Sequence, residues 1–246
     1  MALPEVTSPA AWKAARSELL AEEKELTRAR DRLNTKRRQL PRVRVSEDYH
    51  FDGPSGTASL VDLFEGRSQL IMQHFMFDPG WDDGCPSCTA SADEMTEGLQ
   101  DHLHARDTSF AVVSRAPIAK IEDYRTRRGW TFPWYSSFGT SFNYDFHVTV
   151  DATVAPVEFN FRDAAELDAT GAGWMNEGSW EQPGYSVFLH ADGEVFHTYS
   201  MYAGGAEWLG GSYAFLDLTP LGRQEDWEEP KGRSDSGRAA VPDFSS

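Results

Sequence analysis

The chain has 246 residues, 40% of them apolar and 13% aromatic, which suits one sizeable core with extensions and excludes a disordered chain. Residues 1–45 hold eleven Lys/Arg against six Asp/Glu, a net of +5, while the remainder holds twelve against thirty-three, a net of −21 within the total of −16. An acidic body disfavours nucleic acid and anionic membrane as main partners. No apolar run reaches the eighteen or so residues of a membrane span, and MALPEVTSPAAWKAARSELL lacks the basic-then-apolar order of a secretory signal, so the expected compartment is the cytoplasm, with its thiols reduced.

In chain order, Ser8-Pro9 is a helix start, because serine accepts from free amides and proline is tolerated in the first turn. No glycine or proline follows until Pro41, so one long helix is expected. Trp12, Leu19, Leu26, Leu33 and Leu40 recur every seven residues. Ala15 and Ala29 partly fill a second seam that Glu22 and Lys36 interrupt. Such a narrow stripe suits packing along one partner surface, and a homodimer through this helix is expected ahead of packing on the chain's own body.

Val43/Val45 and Tyr49/Phe51 alternate as short strands, GPSG is a turn, and Ser59–Phe64 reads as a short helical turn. The near-continuous apolar run from Gln69 to Phe77 suits a strand buried on both faces. A helix is expected over TASADEMTEGLQDHLHAR, a second buried strand over Thr108–Ala116, and a further helix over PIAKIEDYRTRRGW. Strand–helix–strand–helix order predicts an α/β sheet. Residues 131–183 read as largely irregular, with a strand near Phe146–Val150 and a loop over ELDATGAGWMNEGSWEQPG. YSVFLHADGEVFHTYS is a hairpin turning at Asp192-Gly193, and a last helix is expected from about Gly211. From residue 224 the charged, aperiodic sequence reads as a flexible tail. The expected organisation is a helical arm over 1–41, an α/β domain over 42–223 and the tail over 224–246.

The chain's two cysteines, Cys85 and Cys88, fall where the first buried strand gives way to a helix. At a helix start, free amides and the helix dipole favour thiolate over thiol. Pro86 fits the first turn, and the spacing brings Cys88 round to face Cys85. Cys85 is therefore expected to attack a substrate disulfide and Cys88 to resolve it, with no cofactor. Asp78, Asp82 and Asp83 precede Cys85 with no Lys or Arg within fifteen residues on either side, so only moderate acidity is expected of its thiol unless Arg115, Arg125 or His197 folds back towards it.

HFMFDPGWDDGCPSC, VSRAPIAKIEDYRTRRGWTFPWYSS, FNYDF, EVFHTYSMYA and YAFLDLTPLGR resemble a bacterial thioredoxin-like family catalogued as a domain of unknown function, over about residues 40–223. The resemblance implies a thioredoxin-like fold, a central mixed sheet flanked by helices, here with an N-terminal helical extension and a flexible C-terminal tail. It supplies no reaction. Thioredoxins place a cis-proline just before the hairpin. Counted back from Gly193 that place falls near Tyr185 or Ser186, two or three residues after Pro183. The peroxiredoxin pattern P-x-x-x-T-x-x-C would put its threonine at Asp82 and its proline at Asp78, so it is not met.

Two further readings stand beside thiol exchange. Met72, His74 and Met76 share one strand face, and Cys85, Cys88, His74 and His197 could ligate copper, zinc or iron in a redox enzyme acting on a small organic molecule. Trp81, Trp130, Trp134, Tyr144 and Tyr199 could line its substrate pocket. The other reading is a non-catalytic dimeric binding protein that keeps the fold.

Overall fold

A computed structural model describes residues 3–209 and 211–231. They fall into two compact units, one running from Arg42 to Gly211 and the other joining the N-terminal residues up to Pro41 with the chain from Ser212. The tail expected over 224–246 lies mostly outside the described residues.

In the smaller unit, α1 (Pro9–Arg38) starts as its sequence dictates: the Ser8 hydroxyl accepts from Ala11 N at 3.2 Å and Pro9 opens the first turn. Lys36, Arg37 and Arg38 sit in the last turn, where the helix dipole favours cations. The helix buries no residue.

The larger unit is built on an eight-stranded sheet. Its strands are β1 (Val43–Arg44), β2 (His50–Gly53), β3 (Gly56–Ser59), β4 (Gln69–His74), β5 (Thr108–Ser114) and β6 (Trp134–Ser136), and later in the chain two long ones. Two small ladders intervene, pairing β7 (Thr149–Asp151) with β10 (Ser179–Glu181) and β8 (Glu158–Phe159) with β9 (Arg162–Asp163). The long pair is β11 (Gly184–Ala191) and β12 (Glu194–Tyr202). The large sheet runs β1-β12-β11-β4-β5-β6-β2-β3, with β4, β5 and β6 parallel and β11 antiparallel to both β4 and β12. The central order β12-β11-β4-β5, a parallel βαβ unit flanked by a later hairpin, is the thioredoxin-like arrangement.

Helices connect these strands. Between β4 and β5 the expected single helix is two, α2 (Pro86–Asp93) and α3 (Glu97–His104), because Thr96 breaks the run and caps the second by accepting from Leu99 N. α4 (Ile118–Arg128) follows β5 and ends at Gly129, whose φ of 70° closes the helix left-handed. Residues 131–183 are more regular than expected. α5 (Phe142–Asp145) precedes β7, and α6 (Ala164–Ala169) opens on a capping box between Asp163 and Glu166. α7 (Gly211–Leu216) begins where the last helix was expected. The hairpin turns at Asp192 and Gly193 with φ of 57° and 78°, the pair of left-handed residues a two-residue turn needs.

The sheet is covered on both faces. Leu70, Met72, Val113 and Phe188 enter one core, and Phe75, Phe77, Phe110 and Trp134 enter the other with Cys88. Alternation along β4 therefore assigns His74 to the first face and Phe75 to the second. Among the described residues, no helix is long and apolar enough to cross a membrane.

Phe188 is wholly buried in the first core, with its ring centroid 5.4 Å from that of Phe146. Phe188→Ala is expected to cost about 3–5 kcal/mol in urea unfolding. Phe138→Ala, at a residue 51% exposed, should stay within about 0.5 kcal/mol of wild type.

Candidate functional site

The cysteines sit at the joint between β4 and α2. Past His74 the chain keeps its extended course through Phe75 and Phe77, turns through residues 78–84 and returns so that Cys85 N donates to Met76 O at 3.0 Å. Gly84 makes the return possible, since a Cβ there would lie 2.5 Å from Phe75 Cε1. Cys85 is the N-cap residue of α2 with Pro86 in the first turn, and its carbonyl accepts from Thr89 N at 2.9 Å.

Both cysteines are free thiols, Cys85 half-buried and Cys88 4% exposed. The Cys88 thiol beside it, the Ser87 hydroxyl 3.1 Å away and the backbone amides of Ser87 and Cys88 lower Cys85 to about 6, against the pull of burial. The same contact with Cys85, together with burial, holds Cys88 well above the ordinary thiol range. The pair is thus divided into an accessible thiolate and a buried proton holder.

The loop acids have partners that lie far away in sequence. Arg115, just after β5, donates to Asp78, and through Nε to Glu181 of β10 at 2.7 Å. Lys120 Nζ on α4 donates to the carbonyls of Pro79 and Trp81, and Arg127 donates to Asp83 at 2.8 Å. Of the three cations named from sequence as able to neutralise this loop, Arg115 does so. Arg125 pairs instead with Glu122 at 2.8 Å, and His197 lies with the other core. Glu181 is 8% exposed and also accepts from Thr149 Oγ1 at 3.1 Å. Burial raises its pKa, against the opposing pull of Arg115. Tyr185 reaches from the start of β11 to Ser91 of α2, their hydroxyls 3.0 Å apart, and so ties the helix to the hairpin. Pro183 directly precedes β11, one residue before the strand begins, because the strand starts earlier than the count from Gly193 implied. The peptide bond before it is trans.

The four groups read as a metal set do not meet. His74 Nε2 is 2.7 Å from Ser186 Oγ, Ser186 Oγ is 2.7 Å from Ser200 Oγ, and Ser200 Oγ is 2.7 Å from His197 Nε2. Both imidazoles pack against Phe146 in the first core, across the sheet from the cysteines. Burial lowers His74 to about 3, which leaves it a neutral core group. Among the described residues, no three His, Cys, Asp or Glu side chains are grouped to hold a metal ion.

The aromatic set is also divided. Trp134 is wholly buried, with Nε1 donating to Ser114 Oγ at 3.0 Å, so it is core. Trp130 is half-buried, 5.6 Å from Trp134 between ring centroids, with Nε1 on Asp93. Trp81 is 40% exposed in the loop before Cys85. Tyr144 lies in the field of Arg115, and Tyr199 is on β12 opposite Val187. The sequence reading missed Glu181, Thr149 and Ser186, which no local pattern marks.

A family model described as "Bacterial protein of unknown function (DUF899)" matches residues 1–238. No curated protein matches the chain in sequence. Among solved structures, the chain is similar to the bacterioferritin comigratory protein of Xanthomonas campestris, with 12% identity, 69% of this chain and 96% of that one covered, and a TM-score of 0.44. It is similar to PrxQ of Xylella fastidiosa, with 12% identity, 71% and 94% covered, and a TM-score of 0.43. It is also similar to the peroxidoxin BcpB of Mycobacterium tuberculosis, with 13% identity, 66% and 85% covered, and a TM-score of 0.44.

Alkylation of the reduced protein by iodoacetamide, followed by peptide mass, should rise with pH to a plateau with its midpoint at about 6 on Cys85, while Cys88 stays unmodified. A Cys85 rate that climbs only above pH ~8, as for a free thiol, would contradict the geometry. A second prediction concerns the buried pair. Arg115→Met leaves the buried Glu181 charge without its cation, and should cost about 3–5 kcal/mol at neutral pH. Glu181 has a raised folded-state pKa, so that cost is full above the folded value and shrinks as pH falls towards the unfolded one. Glu181→Gln in the same background should recover most of it in a urea melt.

Proposed function

The chain belongs to the bacterial DUF899 family, and we propose that it is a thiol–disulfide oxidoreductase with Cys85 as the attacking thiol and Cys88 as the resolving one. The observation that carries this reading is the geometric division of the pair: a half-buried Cys85 thiol at the N-cap of α2 with Ser87 Oγ 3.1 Å away, and behind it Cys88, 4% exposed. This arrangement lowers the first thiol and raises the second.

The steps follow from that division. At neutral pH Cys85 is largely thiolate and attacks one sulfur of a substrate disulfide. A Cys85–substrate S–S bond forms, the substrate's own S–S bond breaks, and the released thiolate takes a proton from solvent. Cys85 then carries no charge and no longer accepts from Cys88. The hydrogen bond to Cys85 and its negative charge no longer hold the Cys88 proton, and only burial still opposes ionisation, so Cys88 ionises more readily and attacks the Cys85 sulfur. The second substrate sulfur leaves as thiolate and is protonated. The substrate has gained two electrons and two protons; the chain has lost the two electrons and the one proton that Cys88 held, and solvent supplies the other proton. No cofactor takes part in either step. Arg115 and Arg127 pair with Asp78 and Asp83 of the loop, which weakens the repulsion those two carboxylates would exert on the Cys85 thiolate.

Cys88→Ser mixed with oxidised glutathione should keep a glutathione adduct on Cys85. Wild type should release it and form the internal disulfide, and Cys85→Ser should take up no adduct. Intact-protein mass after acid quench reads all three. An adduct forming on Cys85→Ser as fast as on Cys88→Ser would overturn the assigned roles.

A further inference from the structure

Independently of the thiol chemistry, we propose that α1 pairs with α1 of a second copy of this chain as an antiparallel two-stranded coiled coil. Trp12, Leu19, Leu26, Leu33 and Leu40 are 62, 51, 64, 55 and 51% exposed, although every one of them is a large apolar side chain. The helix rises about 45 Å over its length. On a straight helix a strict seven-residue step drifts by ~20° per heptad, so this stripe would turn by roughly 60° from Trp12 to Leu33. A flat docking surface cannot follow that turn. Left-handed winding around another helix straightens it into one seam.

Charge decides what the other helix is and which way it runs. The seam is flanked by Ala15, Glu22, Ala29 and Lys36 on one side and by Arg16, Glu23, Arg30 and Arg37 on the other. In a parallel, in-register pair, Glu22 and Glu23 would stand level with their own copies, and so would Lys36 and Arg37. Like charges would then meet at both levels. Antiparallel pairing about a two-fold axis turns the same flank of each helix to the same side, so with Leu26 over the second copy's Leu33, Glu22 faces Lys36 and Glu23 faces Arg37, each within one residue of level. Antiparallel pairing centred on Leu26 instead sets Arg16 against Arg37, which repel and offset Glu23 against Arg30, and leaves Glu22 and Lys36 facing alanines. The Leu26-over-Leu33 register therefore sets opposite charges against each other on both flanks, against a single Arg30–Arg30 contact at its centre. Glu23 now bonds Arg16 of its own helix at 2.8 Å, with both side chains near half exposed, and such a surface pair is cheap to exchange. Leu19 and Trp12 lie beyond the span paired helix on helix, since α1 ends at Arg38, two residues before Leu40.

Sedimentation of the full chain at tens of micromolar tests this. Wild type is expected to be a dimer, and Leu26→Glu, which places a charge in the seam, should weaken it by about a hundredfold or more. Glu22→Lys with Glu23→Lys should weaken it about tenfold, Lys36→Glu with Arg37→Glu should do the same, and all four together should restore it. A parallel coil would show no such rescue, because like would still face like in each variant. An unchanged Cys85 alkylation profile and an unchanged helical circular dichroism signal show that each variant is folded. A monomeric wild type, a dimer indifferent to Leu26→Glu, or charge variants without rescue would each overturn the proposal.

Discussion

The hydrogen bond from Cys85 N to Met76 O is the contact on which the site depends. It folds the chain back against the end of β4, so that α2 begins beside the strand that feeds it. The return is tight enough that Gly84 touches the Phe75 ring and has no room for a side chain. With Cys85 fixed at the N-cap, the thiol meets the Ser87 and Cys88 amides, and Cys88 comes round beneath it into the core. The acidity of one sulfur and the reluctance of the other are two readings of the same geometry.

A loop with three aspartates beside a thiolate is electrostatically adverse in isolation. The fold answers this with Arg115, just after β5, and Arg127 of α4, which are distant from the loop in sequence but bonded to it in space. Arg115 is the most committed of them, since it also neutralises Glu181, a carboxylate that burial would otherwise discharge. Removing one member of that triad exposes the others to the low dielectric of the interior, where an unpaired charge is costly. The loop, the β7–β10 ladder and the end of β5 are thereby held as one structure through the side chains of Asp78, Glu181 and Arg115.

Much of the frame is legible from local pattern. The run Gln69–Phe77 and the stretch Thr108–Ala116 are apolar throughout because both faces of β4 and β5 are covered, and Asp192-Gly193 turns because it tolerates left-handed backbone. The position of Cys85 follows from a strand ending and a proline at the start of a helix. What local pattern does not carry is partnership across the chain. Asp78 reads as unpaired until β5 brings Arg115 to it. His74 reads as near the cysteines, yet the alternation of β4 sends it through the sheet to Ser186. Trp134 reads as a pocket aromatic and is a core residue, because β6 packs it under Ser114. The capping box at Asp163 and Glu166 was a local signal for α6 inside a stretch otherwise read as loop.

The centre proposed for this site is a pair of thiols that passes two electrons to a disulfide. The most direct test is equilibration of the wild-type protein in glutathione buffers of graded ratio, acid quench and peptide mass across Cys85 and Cys88. A single two-electron transition between the dithiol and an internal Cys85–Cys88 disulfide is the predicted result. Persistence of both thiols across the whole range, or glutathione accumulating on Cys88 with no internal disulfide, would contradict it.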